Sequence, residues 1–223
     1  MNVTEAIATR RSIRIFKPDP VPEDLLRCMI ETASRAASNV NLQPWRLYVA
    51  TGAARQRLSE AILAAIDADE PNHGPQYAVH PRPVPEPYRS RQVKVGKELY
   101  GLLDIPKGDA EGMRRQFKRN FLFFDAPVGL MLTMDSRLGH GQWLDCGGFL
   151  TSLMLLAREA GLHTCPQAAF ASYHRIVRRE LAIPEGETVI CGLAVGYADP
   201  DDVPNNLVTE RAPLADWVSW HRG

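Results

Sequence analysis

Arg10, Arg11 and Arg14 crowd one short stretch with Ser12 among them, and a further arginine, Arg211, stands near the other end of the chain. Guanidinium forks grip phosphate oxygens in pairs and keep their charge at any working pH. A second group, Ser38-Asn39-Val40-Asn41-Leu42-Gln43-Pro44, supplies a hydroxyl and several carboxamides. Such neutral donors and acceptors suit a polyol chain or the edge of a flat heterocycle. Together the two groups fit a phosphorylated polar cofactor. The chain has no G-x-x-x-x-G-K-[ST], no G-x-G-x-x-G after a strand, no H-E-x-x-H and no G-x-S-x-G, so hydrolase and kinase readings lose support.

Each of these features also has a plainer reading. Clustered arginines are ordinarily solvated, and Asn41, Gln43 and Trp45 can simply close a turn and pack the next strand. Trp45 is accordingly assigned to packing. Tyr88, Tyr100, Phe123 and Phe124 either fill the core or stack on an aromatic substrate. His140 and His174 have no partner pattern. Cys28, Cys146, Cys165 and Cys191 are scattered, with no C-x-x-C pair and no histidine at zinc spacing, and read as buried thiols with no metal site.

The elements that must position these groups follow from the apolar pattern. Val3 to Ala8 reads as a short helix, Pro22 opens a second that runs to about Ala37, and Trp45 to Ala50 reads as a strand after the amide-rich loop. Ala53 to Ala68 is helical, Pro71 to Pro87 is a long proline-rich loop, and Arg89 to Leu103 and Met113 to Phe123 return to helix. Val128 to Met134 is a strand, Gln142 to Glu159 a long helix stopped by Gly161, Ser172 to Leu181 a short helix and Thr188 to Tyr197 a strand before an extended tail. Gly147 and Gly148 inside the long helix suggest a close approach by another backbone, such as a partner helix. Helices among few strands predict a sheet covered by helices.

A chain of 223 residues suits one domain, residues 1–223, with a sizeable core. Lysine plus arginine balances aspartate plus glutamate at 26 each, so no overall field draws the molecule to nucleic acid or an anionic membrane. The apolar stretch Gly147 to Ala157 is too short to span a bilayer and the N-terminus lacks an apolar leader, which makes the cytoplasm the expected address.

Thr9-Arg10-Arg11-Ser12-Ile13-Arg14-Ile15-Phe16 resembles the opening motif of the nitroreductase family, and Ala37-Ser38-Asn39-Val40-Asn41-Leu42-Gln43-Pro44-Trp45 resembles its second motif. The likeness continues in Pro166-Gln167-Ala168-Ala169, in the strand ending Gly196-Tyr197, and in Arg211-Ala212-Pro213-Leu214. It implies an α+β fold, a three-layer α/β/α sandwich with a mixed central sheet, and a homodimer with FMN between subunits and an exchanged C-terminal tail. It also implies that Arg10 and Arg211 hold the FMN phosphate and that Ser12 and Arg14 reach phosphate, ribityl or ring edge, with Arg11 nearby. Ser38, Asn39 and Asn41 would come from the other subunit. Pro166, Gln167 and the backbone amides of Ala168 and Ala169 would face flavin N5, where a donor stabilises developing charge. Of Arg91, Lys94 and Lys97, Lys94 is preferred against the ring. The implied reaction is ping-pong hydride transfer from NADH or NADPH to a small nitroaromatic acceptor. Quinone or enone reduction, dehalogenation, flavin fragmentation and a non-catalytic flavin-binding role stand as alternatives. Residues 71–120 form the variable insert and substrate cover, with Tyr88, Phe123 and Phe124 as substrate contacts. The sequence departs from the family pattern at Ala37 and Asn39, and at Thr209 and Glu210, where many relatives place a second basic residue before the tail arginine.

Overall fold

The computed structural model describes residues 1–71, 73–199 and 201–223. Residue 72, in the proline-rich stretch, and residue 200, at the head of the tail, lie outside the described residues. Four strands, β1 (Trp45–Thr51), β2 (Val128–Asp135), β3 (His163–Gln167) and β4 (Glu187–Gly196), form one sheet in the order β1-β2-β4-β3. All three pairings are antiparallel, which corrects the mixed sheet expected above. Among the described residues the parallel element shrinks to a single bridge, Ser12 to Thr164, made by the N-terminal segment.

The helices are α1 (Val3–Thr9), α2 (Glu23–Ala33), α3 (Gly52–Asp67), α4 (Tyr88–Leu102), α5 (Ala110–Arg119), α6 (His140–Glu159) and α7 (His174–Leu181). Successive side chains of a strand point to opposite faces. Val128, Leu130, Leu132 and Met134 of β2 therefore meet α2 and α6 on one side, while Met131 joins α3 and α7 on the other. Two cores on the two faces of one sheet give the three layers that were expected.

Several elements differ from expectation for local reasons. Helix α2 stops at Ala33 rather than near Ala37, because the Ser34 hydroxyl donates to the carbonyl of Glu31 and competes with the helix ladder. Cys28 is exposed on this helix, whereas the other three thiols are buried as expected. Strand β3 carries Pro166 and escaped the apolar pattern. At the sheet edge a proline costs no ladder bond that a neighbour needs.

The expected helix to Phe123 ends at Arg119 and gives way to a 3-10 turn, Asn120–Asp125. Phe123 and Phe124 take left-handed backbone conformations there, each with φ 54°. Phe123 lies against Gly129 of β2 and Phe170 against Gly192 of β4, and the two rings stack with centroids 4.7 Å apart. A Cβ on Gly129 would fall 2.4 Å from the Phe123 ring, so the absent side chain makes the ring's seat.

The proline-rich loop is pinned to the sheet. A register shift between Leu132 and Thr133 leaves Ile190 of β4 without a β2 partner. The Tyr77 hydroxyl donates to the Ile190 carbonyl at 2.5 Å, and the Gln76 side chain accepts from the Val189 amide. Helix α4, which follows this loop, has no buried residue.

Candidate functional site

The segment from Arg10 to Lys17 is not a strand, yet it is docked on the end of the sheet. Ile13 N donates to Thr164 O, Phe16 N to Phe124 O and Lys17 N to Tyr197 O. Docking beside β3 brings Arg10 and Arg14 close enough to Cys165 to oppose, electrostatically, the upward push that burial gives its thiol, which stands at about 11. Arg14 reaches back to the carbonyl of Ser12 at 3.1 Å. Arg11 lies toward Arg158 and His163.

Among the described residues no carboxylate lies within ion-pair distance of Arg10, Arg11 or Arg14. Gathering like charges without counterions is unfavourable unless solvent or an anion answers them. All three side chains are half-buried, so the cluster is more than a solvated surface patch. At the other end of β3 the Gln167 side chain donates to the carbonyl of Asn120 at 2.5 Å, and its buried Oε1 has no protein partner. Ala168 and Ala169 open a 3-10 turn, where the first backbone N–H groups have no intrahelical acceptor. One strand thus links a cationic cluster to a short stretch of free donors, with Pro166 between them. This donor set fits an elongated ligand with an anionic end and an electron-accepting ring.

The amide-rich loop stands apart from that cluster. Ser38 Oγ accepts from Gln43 N, Gln43 Nε2 donates to Asn41 Oδ1, and Val40, Asn41 and Gln43 all have positive φ. Val40 is β-branched and 81% exposed, so the loop holds an unfavourable conformation in order to project outward. Its anchor is Asp145 of α6, a buried carboxylate whose two oxygens accept from the Asn39 amide. Asp145 escaped the sequence reading, although a carboxylate followed by the long uncharged run Cys146 to Ala157 was a visible signal.

Arg211 hydrogen-bonds its own neighbours, Thr209 and Glu210, and shows no bond to the N-terminal arginines. Lys94 of α4 pairs with Glu210 at 2.5 Å, and Lys94, Arg91, Glu98, Glu210 and Arg211 line a cavity of about 650 Å³ between α4 and the tail. The acidic departure at Glu210 is therefore met by Lys94, and the pairing raises the lysine above its ordinary pKa. Tyr88 is exposed at the start of α4, with the Arg91 guanidinium 5.8 Å from its ring centroid. Phe123 and Phe124, 0% and 2% exposed, present no face to a ligand in this chain, and their assignment as substrate contacts is corrected to core packing.

The Nitroreductase family model matches residues 7–197. The chain is 42% identical over 201 residues to a 4-nitrobenzoate reductase of Pseudomonas putida, covering 90% of this chain and 87% of the relative. The crystal structure of an FMN and NADPH-dependent nitroreductase NfnB from Sphingopyxis sp. strain HMH superposes with a TM-score of 0.97 at 38% identity, covering 100% of both chains. The FMN-dependent NfnB of Mycobacterium smegmatis, solved in complex with NADPH, superposes with a TM-score of 0.94 at 31% identity over 99% of this chain and 98% of that one.

Proposed function

Because the chain belongs to the nitroreductase family, we propose that it binds FMN, takes hydride from NADH or NADPH in a ping-pong cycle and reduces a small nitroaromatic acceptor. The observation that carries this reading is the half-buried trio Arg10, Arg11 and Arg14, without carboxylate partners among the described residues, docked on the strand that ends at Gln167 and leads into Ala168-Ala169. When bound, FMN supplies the two-electron chemistry, and the protein supplies binding, orientation and electrostatics. Arg10 and Arg211 hold the phosphate, Ser12 and Arg14 reach phosphate, polyol or ring edge, and Arg11 adds charge nearby. The amides of Ala168 and Ala169, flanked by Pro166 and Gln167, donate to the ring edge where electron density accumulates. Lys94 approaches the ring from α4, and Tyr88 contacts the acceptor. The nitroaromatic substrate class draws support from the 4-nitrobenzoate reductase relative.

In this reading the working unit is a homodimer, and Ser38, Asn39 and Asn41 serve the partner's cofactor. Leu144 of α6 is 80% exposed, and a Cβ on Gly147 would meet nothing within 4 Å. Nothing inside the chain requires glycine there, which favours a partner helix as the reason for it. An apolar-lined groove of about 910 Å³ between α2 and the β1 edge, with Leu26, Ile30, Leu47 and Val49 in its wall, offers a seat for an exchanged tail. The tail carries exposed Leu214, Trp217 and Trp220 to fill such a seat. Residues 71–120 act as the substrate cover. The address is the cytoplasm, and no described helix is long and apolar enough to cross a membrane.

An anaerobic visible spectrum tests the whole reading. The purified protein should show flavin bands that bleach with NADH or NADPH and return on adding 4-nitrobenzoate. A colourless protein that takes up no FMN overturns it, and a flavin that no nicotinamide bleaches leaves a binding protein rather than an enzyme.

A further inference from the structure

We propose that Asn205 is a positioning residue for the phosphate end of the cofactor site, holding the Arg10–Phe16 segment in the shape that presents its arginines together. This inference rests on the phosphate assignment made above. Ser12 makes a single bridge to Thr164 of β3, and Phe16 a single bridge to Ala198, just past the end of β4. Between them Arg14 and Ile15 have no strand partner, and their backbone groups need acceptors and donors from elsewhere. Asn205 supplies most of them. Its Oδ1 accepts from Arg14 N at 2.9 Å and from Ile15 N at 3.2 Å, and its Nδ2 donates to Ile15 O at 2.9 Å and to Asp199 O at 3.2 Å. The remaining group, the Arg14 carbonyl, accepts from Arg119 at 3.2 Å.

The carboxamide is 5% exposed and uses both lone pairs and both protons, so it does the work of a missing strand neighbour. No other side chain of that size both donates and accepts in this way: aspartate lacks the donors, and leucine lacks both. Asn205 also sits in the tail segment that leads to Arg211, in the turn Val203–Asn206. One buried amide therefore ties the root of the tail to the N-terminal motif, the two places that contribute phosphate-binding arginines. No sequence signal marked it, because an asparagine in a polar tail reads as a turn residue.

The test compares FMN with riboflavin, which lacks the phosphate. Apo protein carrying Asn205→Ala or Asn205→Asp is titrated with each flavin by fluorescence quenching, alongside wild type and Arg10→Ala. The expected result is FMN affinity lower by on the order of tenfold in both Asn205 variants, with a clearly smaller loss for riboflavin, which shares the polyol and ring contacts of this segment and lacks only the phosphate. Equal losses for both flavins, or no loss for either, overturn the positioning role. Arg10→Ala separates the two levels of inference. If it too leaves the preference for FMN over riboflavin intact, the phosphate assignment itself fails; if it abolishes the preference while the Asn205 variants keep it, only the role of Asn205 fails. Should neither Asn205 variant fold, hydrogen exchange on wild-type apo protein decides. The Arg14 and Ile15 amides should be protected before FMN is added, and free exchange there overturns the proposal.

Discussion

His163 shows how the N-terminal cations act on their surroundings. Arg158 Nη1 lies 3.0 Å from its Nε2, and burial first, then Arg158 and Arg11, push its pKa down to about 4 from 6.5. The folded protein therefore binds this proton less readily than the unfolded chain. Stability from this group is fully present above pH 6.5 and is lost progressively as pH falls toward 4. The melting temperature of apo protein should drop across that window, and His163→Gln should remove part of the drop. A wild-type profile flat between those values would show that the ring is not held neutral by its neighbours. Charge at this scale was partly legible. The arginine cluster and Arg211 stood out by type and spacing, and Asp145 by its charge in an apolar stretch, whereas the partners of Asp145 and Asn205 are backbone groups far away in the chain that no local pattern names.

Between residue and fold, the decisive elements are the irregular ones. The amide-rich loop was readable as a loop from Asn39, Asn41 and Pro44, and its anchoring to α6 was not. The phenylalanine turn was misread as helix, because Phe121, Phe123 and Phe124 satisfy an apolar pattern equally well in either form. What decides is Gly129, whose bare backbone accepts the Phe123 ring. Gly129→Ala would drive a Cβ into a fully buried ring with no room to yield. Overpacking of this kind costs roughly 1–3 kcal/mol. Urea unfolding should show a lower midpoint with an unchanged slope. An unaltered midpoint would mean that the 3-10 turn can shift at little cost, and the packing account of the turn would fail.

At the scale of the molecule, the sheet with a core on each face leaves apolar surfaces that the chain alone does not cover, among them the face of α6 bearing Leu144 and Gly147. In the dimer proposed above this face is covered, so Leu144→Glu places a charge in the interface. Light scattering should show the wild type as a dimer and the variant shifted to monomer with poor retention of FMN. A variant that stays dimeric and yellow would move the interface elsewhere. Sequence by itself determined a sheet covered by helices, the cationic motif and the amide loop, because periodicity and residue type are local properties, and the likeness of those motifs pointed to the family and its sandwich. Tertiary structure alone decided that the sheet is antiparallel throughout, that Pro166 lies in an edge strand, that Phe123 and Phe124 belong to the core and that Asn205 braces the arginine segment. Each of these depends on which distant backbone a residue meets, and burial and hydrogen-bond satisfaction are settled only when the whole chain has closed on itself.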